Sequence, residues 1–210
     1  MKLYSYFRSS AAYRVRIALN VKAIDYDTAF INLKQGEQST PEWLAVNPEG
    51  LVPVLEVSTT EKLTQSVAIL EWIEETYPQP ALLPDSGHER AQVRSMVGQI
   101  ACDIHPLNNL RTLKYLTGDL HVTEENKLNW YRHWINTGFT AFEKKLVGGL
   151  FCFGEQITLA DVCLIPQVYN AIRFNVDLTP YPFIEKVYQH CMSLAVFIDA
   201  SPEQQPDAIL

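Results

Sequence analysis

Three short groups of residues in this 210-residue chain have the types and spacing to hold a thiolate or a carboxylate. The first is Arg8-Ser9-Ser10-Ala11-Ala12-Tyr13-Arg14-Val15-Arg16, where a strand-like segment meets a helix-like one. A helix N-terminus carries partial positive charge and unpaired N–H groups, which lower a thiol pKa. Dithiol redox enzymes place C-x-x-C at such a junction. Here the positions are Ser and Ala, and no cysteine precedes Cys102. The segment cannot do dithiol chemistry itself. Its hydroxyls and helix end suit a thiolate or other anion brought by a ligand. Equally, Ser9 or Ser10 can serve as nothing more than an N-cap.

The second group is Leu51-Val52-Pro53-Val54-Leu55. A proline inside an apolar strand removes a ladder donor. It is accommodated on an edge strand, or as a cis proline that turns the backbone of Val52 toward a ligand. The third group is Gln65-Ser66, at the start of a helix-like run. Ser66 can cap that helix, or lend its hydroxyl and the helix end to a carboxylate.

Alternating short elements must position these groups. Residues 2–6 read as a strand, 10–22 as a helix with Val15, Ala18 and Leu19 on one face, and 26–33 as a second strand. Residues 51–57 form a buried apolar strand, and Leu63 ends a short partner strand. A helix from Ser66 turns Ile69, Leu70 and Ile73 inward and stops at Pro78. The order β-α-β, then β-β-α, predicts a thioredoxin-like sheet over residues 1–80. The stretch from Pro78 to Gly87 is rich in Pro and turn residues, and 81–87 within it reads as a linker. Residues 88–210 read as an all-helical domain. A long helix begins near Glu89 and bends at Pro106. Another is capped by Thr123, with Leu128, Tyr131, Ile135, Phe139, Phe142 and Leu146 inward and a stop at Gly148-Gly149. Thr158-Leu159-Ala160-Asp161 has capping-box spacing and starts a buried helix that runs to Arg173.

Composition removes several function classes. The chain has 17 Lys+Arg against 24 Asp+Glu, a formal net charge of −7, which argues against nucleic-acid binding. No apolar run approaches the roughly 20 residues of a membrane span. Arg8 interrupts any signal-peptide core. The four cysteines Cys102, Cys152, Cys163 and Cys191 lack the spacing of a disulfide framework or a zinc site, so no metal is expected. These features describe a cytoplasmic enzyme or binding protein. Charge is uneven, however. Residues 1–24 hold Lys2, Arg8, Arg14, Arg16 and Lys22 and no carboxylate. Arg8 and the helix end place positive potential where an anion can bind. Lys2 and Lys22 read as solvated charges, and Arg14 and Arg16 as facing away from that site.

Taken together, the three groups resemble the glutathione site of glutathione transferases. Tyr4-Ser5-Tyr6-Phe7-Arg8-Ser9-Ser10 with Arg14-Val15-Arg16-Ile17-Ala18-Leu19 is similar to the zeta class. So are Ile104-His105-Pro106-Leu107-Asn108-Asn109-Leu110, Leu159-Ala160-Asp161, and Arg173 through Pro182. The resemblance covers nearly the whole chain. It implies the glutathione transferase fold, a homodimer, and glutathione as cofactor in the cis–trans isomerisation of maleylacetoacetate to fumarylacetoacetate, as in tyrosine and phenylalanine breakdown. Thiolate addition to the cis alkene, rotation, and thiolate departure regenerate the glutathione. The best-known pattern in that class is Ser-Ser-Cys, and Ala11 stands in the third place. A protein thiol there is ruled out as nucleophile, which puts in doubt any side activity that needs one.

The resemblance also assigns roles. Ser9 is the thiolate partner and Ser10 its alternate. Gln38, Val52, Pro53, Gln65 and Ser66 bind glutathione. His105, Asn109 and Arg111 line the cofactor site, and Arg8 and Arg173 hold the dicarboxylate substrate. A free thiol has a pKa of about 8.5, so a shift of about two units requires about 2.7 kcal/mol. A hydrogen bond to an ionised group supplies about 1.5–3 kcal/mol, and a helix end about 0.3–1. Ser9 with the amides of Ser10 and Ala11 therefore suffices without a general base. His105 can instead be a helix-bend residue beside Pro106, and each arginine can instead form an interdomain salt bridge.

Three other readings compete. Maleylpyruvate, from gentisate breakdown, offers the same chemistry on a shorter substrate. A broad transferase conjugating electrophiles prefers a more apolar pocket than these arginines provide. A binding module without catalysis is expected to lack the activating hydroxyl or the Gln-Ser pair, and both are present.

Overall fold

The computed structural model describes residues 1–209. It divides into two compact units, one of Met1–Leu82 with the chain from Met192 onward, the other of Leu83–Cys191.

The first unit is built on four strands, β1 (Lys2–Ser5), β2 (Asp27–Phe30), β3 (Val54–Glu56) and β4 (Lys62–Thr64). Their order is β2-β1-β3-β4. β1 and β2 are parallel, with Lys2 opposite Asp27 and Ser5 opposite Phe30. β3 is antiparallel to both neighbours, with Val54 opposite Tyr4 on one side and Thr64 on the other. Helices α1 (Ser10–Val21), α2 (Pro41–Val46) and α3 (Ser66–Thr76) complete the thioredoxin-like order. α2 was not foreseen, because six residues are too few to show a helical period. Its local signals are nonetheless present. Thr40 accepts from Trp43 N at 3.3 Å, and Pro41 occupies the first turn.

α1 is buried nearly all round, including Arg14 and Arg16 at 1% and 0% exposure. The expectation that Arg14 faces away from the candidate site is corrected here, since its Nη1 donates to Ser66 Oγ. Arg16 donates to Ala200 O (2.8 Å), Ser5 Oγ (3.1 Å) and Phe7 O (3.1 Å), which is how a guanidinium becomes tolerable in a core. Lys22 is not solvated either. It lies 2.6 Å from Glu74 Oε2 and donates to Tyr77 O, with its side chain fully enclosed. Glu74 in turn accepts from Leu82 N.

The chain from Met192 was assigned to the helical domain by sequence, and it groups with the first unit instead. Backbone polar groups tie it there. Tyr13 Oη donates to Phe197 O at 3.2 Å, Asn20 Nδ2 to Val196 O, and Phe7 N to Asp207 Oδ2 at 2.9 Å. Phe197 is fully buried.

The second unit is helical throughout, as patterned. α4 (Gly87–Gly98) runs into a π-helical segment, Gln99–Ile104, and then α5 (His105–Asn108). The expected disturbance near Pro106 takes this form because proline cannot donate to the preceding turn. α6 (Leu110–Gly118) follows, then α7 (Glu124–Glu143), capped by Thr123 Oγ1, which accepts from Asn126 N. The π segment lies close against α7 at Gly138. A Cβ there would come within 2.2 Å of Ile104 Cδ1, so a larger residue would force the Ile104 side chain to move. In α8 (Leu159–Arg173), buried Asp161 accepts from Thr158 N (2.8 Å), Thr158 Oγ1 (2.9 Å) and Cys152 N (2.6 Å). Burial pushes its carboxyl upward despite those hydrogen bonds. α9 (Pro182–Cys191) closes this unit, and α10 (Ala195–Ile198) belongs to the first.

Candidate active site

Strand direction gathers the first three groups. β1 ends at Ser5, one residue past Tyr4, which stands opposite the start of β3 at Val54, so the loop to Ser9 and the turn at Val52 leave the same end of the sheet. β4 ends at Thr64 opposite Val54, which puts Gln65 and Ser66 at that end too. β2 is parallel to β1, and Ile31 N donates to Ser5 O beyond its last residue. The chain toward Gln38 therefore leaves from the same edge.

Ser9 is the N-cap of α1. Its Oγ accepts from Ala12 N at 3.2 Å, and its carbonyl accepts from Tyr13 N at 2.8 Å. A hydroxyl has two acceptor lone pairs and one proton, so capping leaves the proton available to an anion. The two sequence readings of Ser9 are therefore compatible. Ser9 is half-buried, whereas Ser10 is buried. The first turn of α1 contains no acidic residue, so nothing offsets its positive end. Arg8 is exposed, with its guanidinium 4.8 Å from the Phe7 ring centroid.

The Val52–Pro53 peptide is cis, and both residues are buried. The turn before it is organised by Asn47, which donates from Nδ2 to Leu51 O (2.9 Å) and accepts at Oδ1 from Glu49 N (3.1 Å). Gly50 has a φ of +63°, and a Cβ there would lie 3.0 Å from Gln38 O. That close approach brings Gln38 against the turn. Gln38 Oε1 is buried without a hydrogen-bond partner in the chain.

Gln65 occupies the N-cap position of α3 with φ 65° and ψ 112°, and no side chain caps that helix. Its Nε2 lies 2.9 Å from both carboxylate oxygens of Glu49. Ser66 is buried, and its Oγ accepts from Arg14 Nη1 at 3.2 Å. An uncapped helix start with no acidic residue in its first turn is suited to a carboxylate.

The other candidates belong to the helical unit. His105 opens α5, and its Nε2 lies 3.3 Å from Asn109 Nδ2. Asn109 Oδ1 also accepts from Arg111 N, which caps α6. Asn109 itself lies just past α5, with extended backbone. Arg111 and Arg173 are exposed. The Arg173 guanidinium lies 4.9 Å from the Phe174 ring, which stacks on Tyr131 at 3.9 Å.

Three residues that touch the site were missed. Arg14 gave a weak signal, a charged residue among the mostly apolar positions of α1. Glu49 gave none, since only the 47–51 turn brings it to Gln65. Asp207 reaches Phe7 across 200 residues. At this end of the sheet stand a hydroxyl donor and an open helix start for a thiolate, an uncapped helix and a hydroxyl for a carboxylate, and a buried amide oxygen short of a donor. Such a set fits a thiol peptide with carboxylate ends, and it fits glutathione.

Comparison with known proteins agrees. Residues 1–75 match the glutathione S-transferase N-terminal domain and residues 134–195 the C-terminal domain. The chain is 50% identical over 210 residues to a probable maleylacetoacetate isomerase of Vibrio cholerae serotype O1, covering 98% of this chain and 97% of that one. The holo structure of a bacterial maleyl pyruvate isomerase of the zeta class superposes with a TM-score of 0.96 at 44% identity, over 99% of this chain and 100% of that one. A maleylacetoacetate isomerase from Methylobacterium extorquens AM1, solved with malonate and glutathione bound, gives 0.95 at 38% identity, over 99% of each chain.

Proposed function

This chain belongs to the glutathione transferase family, in its zeta class, and on that footing we propose that it converts maleylacetoacetate to fumarylacetoacetate with glutathione as cofactor. The observation that carries the reading is the Ser9 hydroxyl at the start of α1, its oxygen engaged by Ala12 N and its proton available. Glutathione, when bound, supplies the thiolate whose reversible addition lets a cis double bond turn.

The residues have the following roles in this reading. Ser9 donates its hydroxyl proton to the sulfur, with Ser10 as alternate. The unopposed N-terminus of α1 lowers the cost of negative charge there. Hydrogen bonding to an anion supplies about 1.5–3 kcal/mol, and together with the helix end it reaches the roughly 2.7 kcal/mol that lowers a thiol pKa by about two units, so the reading needs no general base. Gln38, the Val52–Pro53 backbone, Gln65 and Ser66 hold the peptide, and His105, Asn109 and Arg111 complete its environment. Arg8 and Arg173 present planar forks to the two substrate carboxylates. The working form we propose is a cytoplasmic homodimer, a state that light scattering in solution tests.

The deciding experiment mixes enzyme, glutathione and a maleyl substrate and follows the alkene by NMR. Isomerisation with glutathione returned unchanged is the expected outcome. A stable glutathione conjugate as product overturns it in favour of a conjugating transferase. Maleylpyruvate is the second substrate to run, because a relative that acts on it has nearly the same fold. Faster turnover of maleylpyruvate reassigns the physiological substrate and leaves the chemistry unchanged.

A further inference from the structure

We propose that Arg14 is a positioning residue for glutathione binding. It acts through Ser66 and touches no ligand itself. The inference rests on the reading above that Ser66 receives a glutathione carboxylate.

A serine hydroxyl is ambivalent, since it can accept from a donor or donate to an acceptor, and its hydrogen rotates to suit. At the start of α3 that ambiguity is removed. Arg14 Nη1 lies 3.2 Å from Ser66 Oγ, and an arginine N–H can only donate. Ser66 Oγ is therefore an acceptor toward Arg14, and its own proton must point elsewhere. The serine is set as a donor, which a carboxylate needs and a cation or N–H group cannot use.

Burial makes the arrangement firm. Arg14 is 1% exposed and Ser66 7%, so the bond is shielded from competing water. The arginine comes from α1 and the serine from α3, so one buried contact links the helix that serves the thiolate to the helix that serves the carboxylate. No side chain caps α3 and no acidic residue lies in its first turn. A carboxylate at Ser66 meets the hydroxyl proton and unpaired amides together. A residue whose only task was to fill space between α1 and α3 would not need five N–H donors. A charge-assisted hydrogen bond to Ser66 gives the arginine a task that an apolar side chain cannot perform.

The test is a double-variant cycle read by glutathione affinity. Arg14→Met and Ser66→Ala are each expected to raise the glutathione dissociation constant about tenfold, with turnover at saturating glutathione changed much less. The double variant is expected to bind no worse than Ser66→Ala alone, because Arg14 acts through that hydroxyl. Arg14→Lys, which keeps a donor, restores most of the affinity, and it carries the same comparison should Arg14→Met not fold. Two glutathione analogues, each lacking one carboxylate, locate the effect. The Arg14 penalty should vanish with one of them and persist with the other. Additive losses in the double variant, or a penalty that persists with both analogues, overturn the proposal and leave Arg14 a core residue. Full glutathione affinity in Ser66→Ala removes the underlying carboxylate reading as well, so the two failures are distinguishable.

Discussion

The hydroxyl oxygen of Ser9 lies 3.2 Å from the backbone nitrogen of Ala12 and accepts its hydrogen. One side chain thus caps α1 and, in the proposed role, donates its remaining proton to the glutathione sulfur. The two roles separate by substitution. Ser9→Ala loses both, costing about 0.5–2 kcal/mol of stability as a missing cap. Ser9→Gly retains most of the cap, since glycine at that position costs only a few tenths of a kcal/mol. Both variants are expected to raise the pKa of bound glutathione by about one to two units, read from thiolate absorbance against pH. Turnover near neutrality falls in both, much more than glutathione affinity does. A glycine variant with normal turnover refutes the thiolate role.

Gln65 stands at φ 65° and ψ 112°, a region that side chains seldom occupy. Such a backbone costs about 1–3 kcal/mol and is retained where function requires it. Gln65→Gly is expected to raise the thermal midpoint and to weaken glutathione binding at the same time. Denaturation curves and calorimetric titration check the two halves. Loss of stability in the glycine variant would show that the hydrogen bonds from Gln65 to Glu49 outweigh the strain.

Asp207 holds the loop that carries Arg8 and Ser9, through the Phe7 amide at 2.9 Å. Asp207→Ala leaves that buried N–H without its acceptor, at a cost of about 1–3 kcal/mol. Asp207→Asn keeps an oxygen there and should recover most of it. Turnover is expected to follow stability across the pair, because the loop and the tail are ordered together. Urea unfolding alongside steady-state kinetics provides the comparison. Equal stability in Asp207→Ala and Asp207→Asn would mean that the hydrogen bond contributes little.

The thiols should divide sharply. Burial, and then the charge of Asp161, hold the Cys152 thiol well above its ordinary range, and burial does the same to Cys191. Raised pKa values mean that these thiols stay protonated, and so unreactive, at pH 8. Cys163 is enclosed, and of the four cysteines only Cys102 is exposed. Alkylation of the native protein at pH 8 is expected to label Cys102 alone, and all four after unfolding. Peptide mass spectrometry locates the label. Rapid native labelling of Cys152 would contradict the buried arrangement.

Much of the fold is legible in the chain because it is written in local periods and caps. Thr123, the Thr158–Asp161 box and Pro78 mark helix ends through bonds made within a few residues. The apolar run at 51–57 marks a strand through burial alone. α2 escaped notice because a six-residue helix has no period to detect. The surroundings of Arg14, Arg16 and Lys22 are hidden for a different reason. A local reading shows the charge and not its partner, and only distant groups such as Ser66, Ala200 and Glu74 make burial possible.

The active-site groups divide along the same line. Sequence alone determined which residues stand at the helix starts, since Ser9 and Ser66 follow strand-like runs and precede apolar helical ones. It also determined that no protein thiol can act at that junction, because Ala11 stands there and the first cysteine is Cys102. Tertiary structure decided what each group can donate. The antiparallel pairing of β3 brings both helix starts to one end of the sheet, and the 47–51 turn carries Glu49 to Gln65. Arg14 sets the proton of Ser66, and Asp207 fastens the Ser9 loop from the far end of the chain. The physical reason is that a hydrogen bond depends on the position of both partners, and a local pattern shows only one of them.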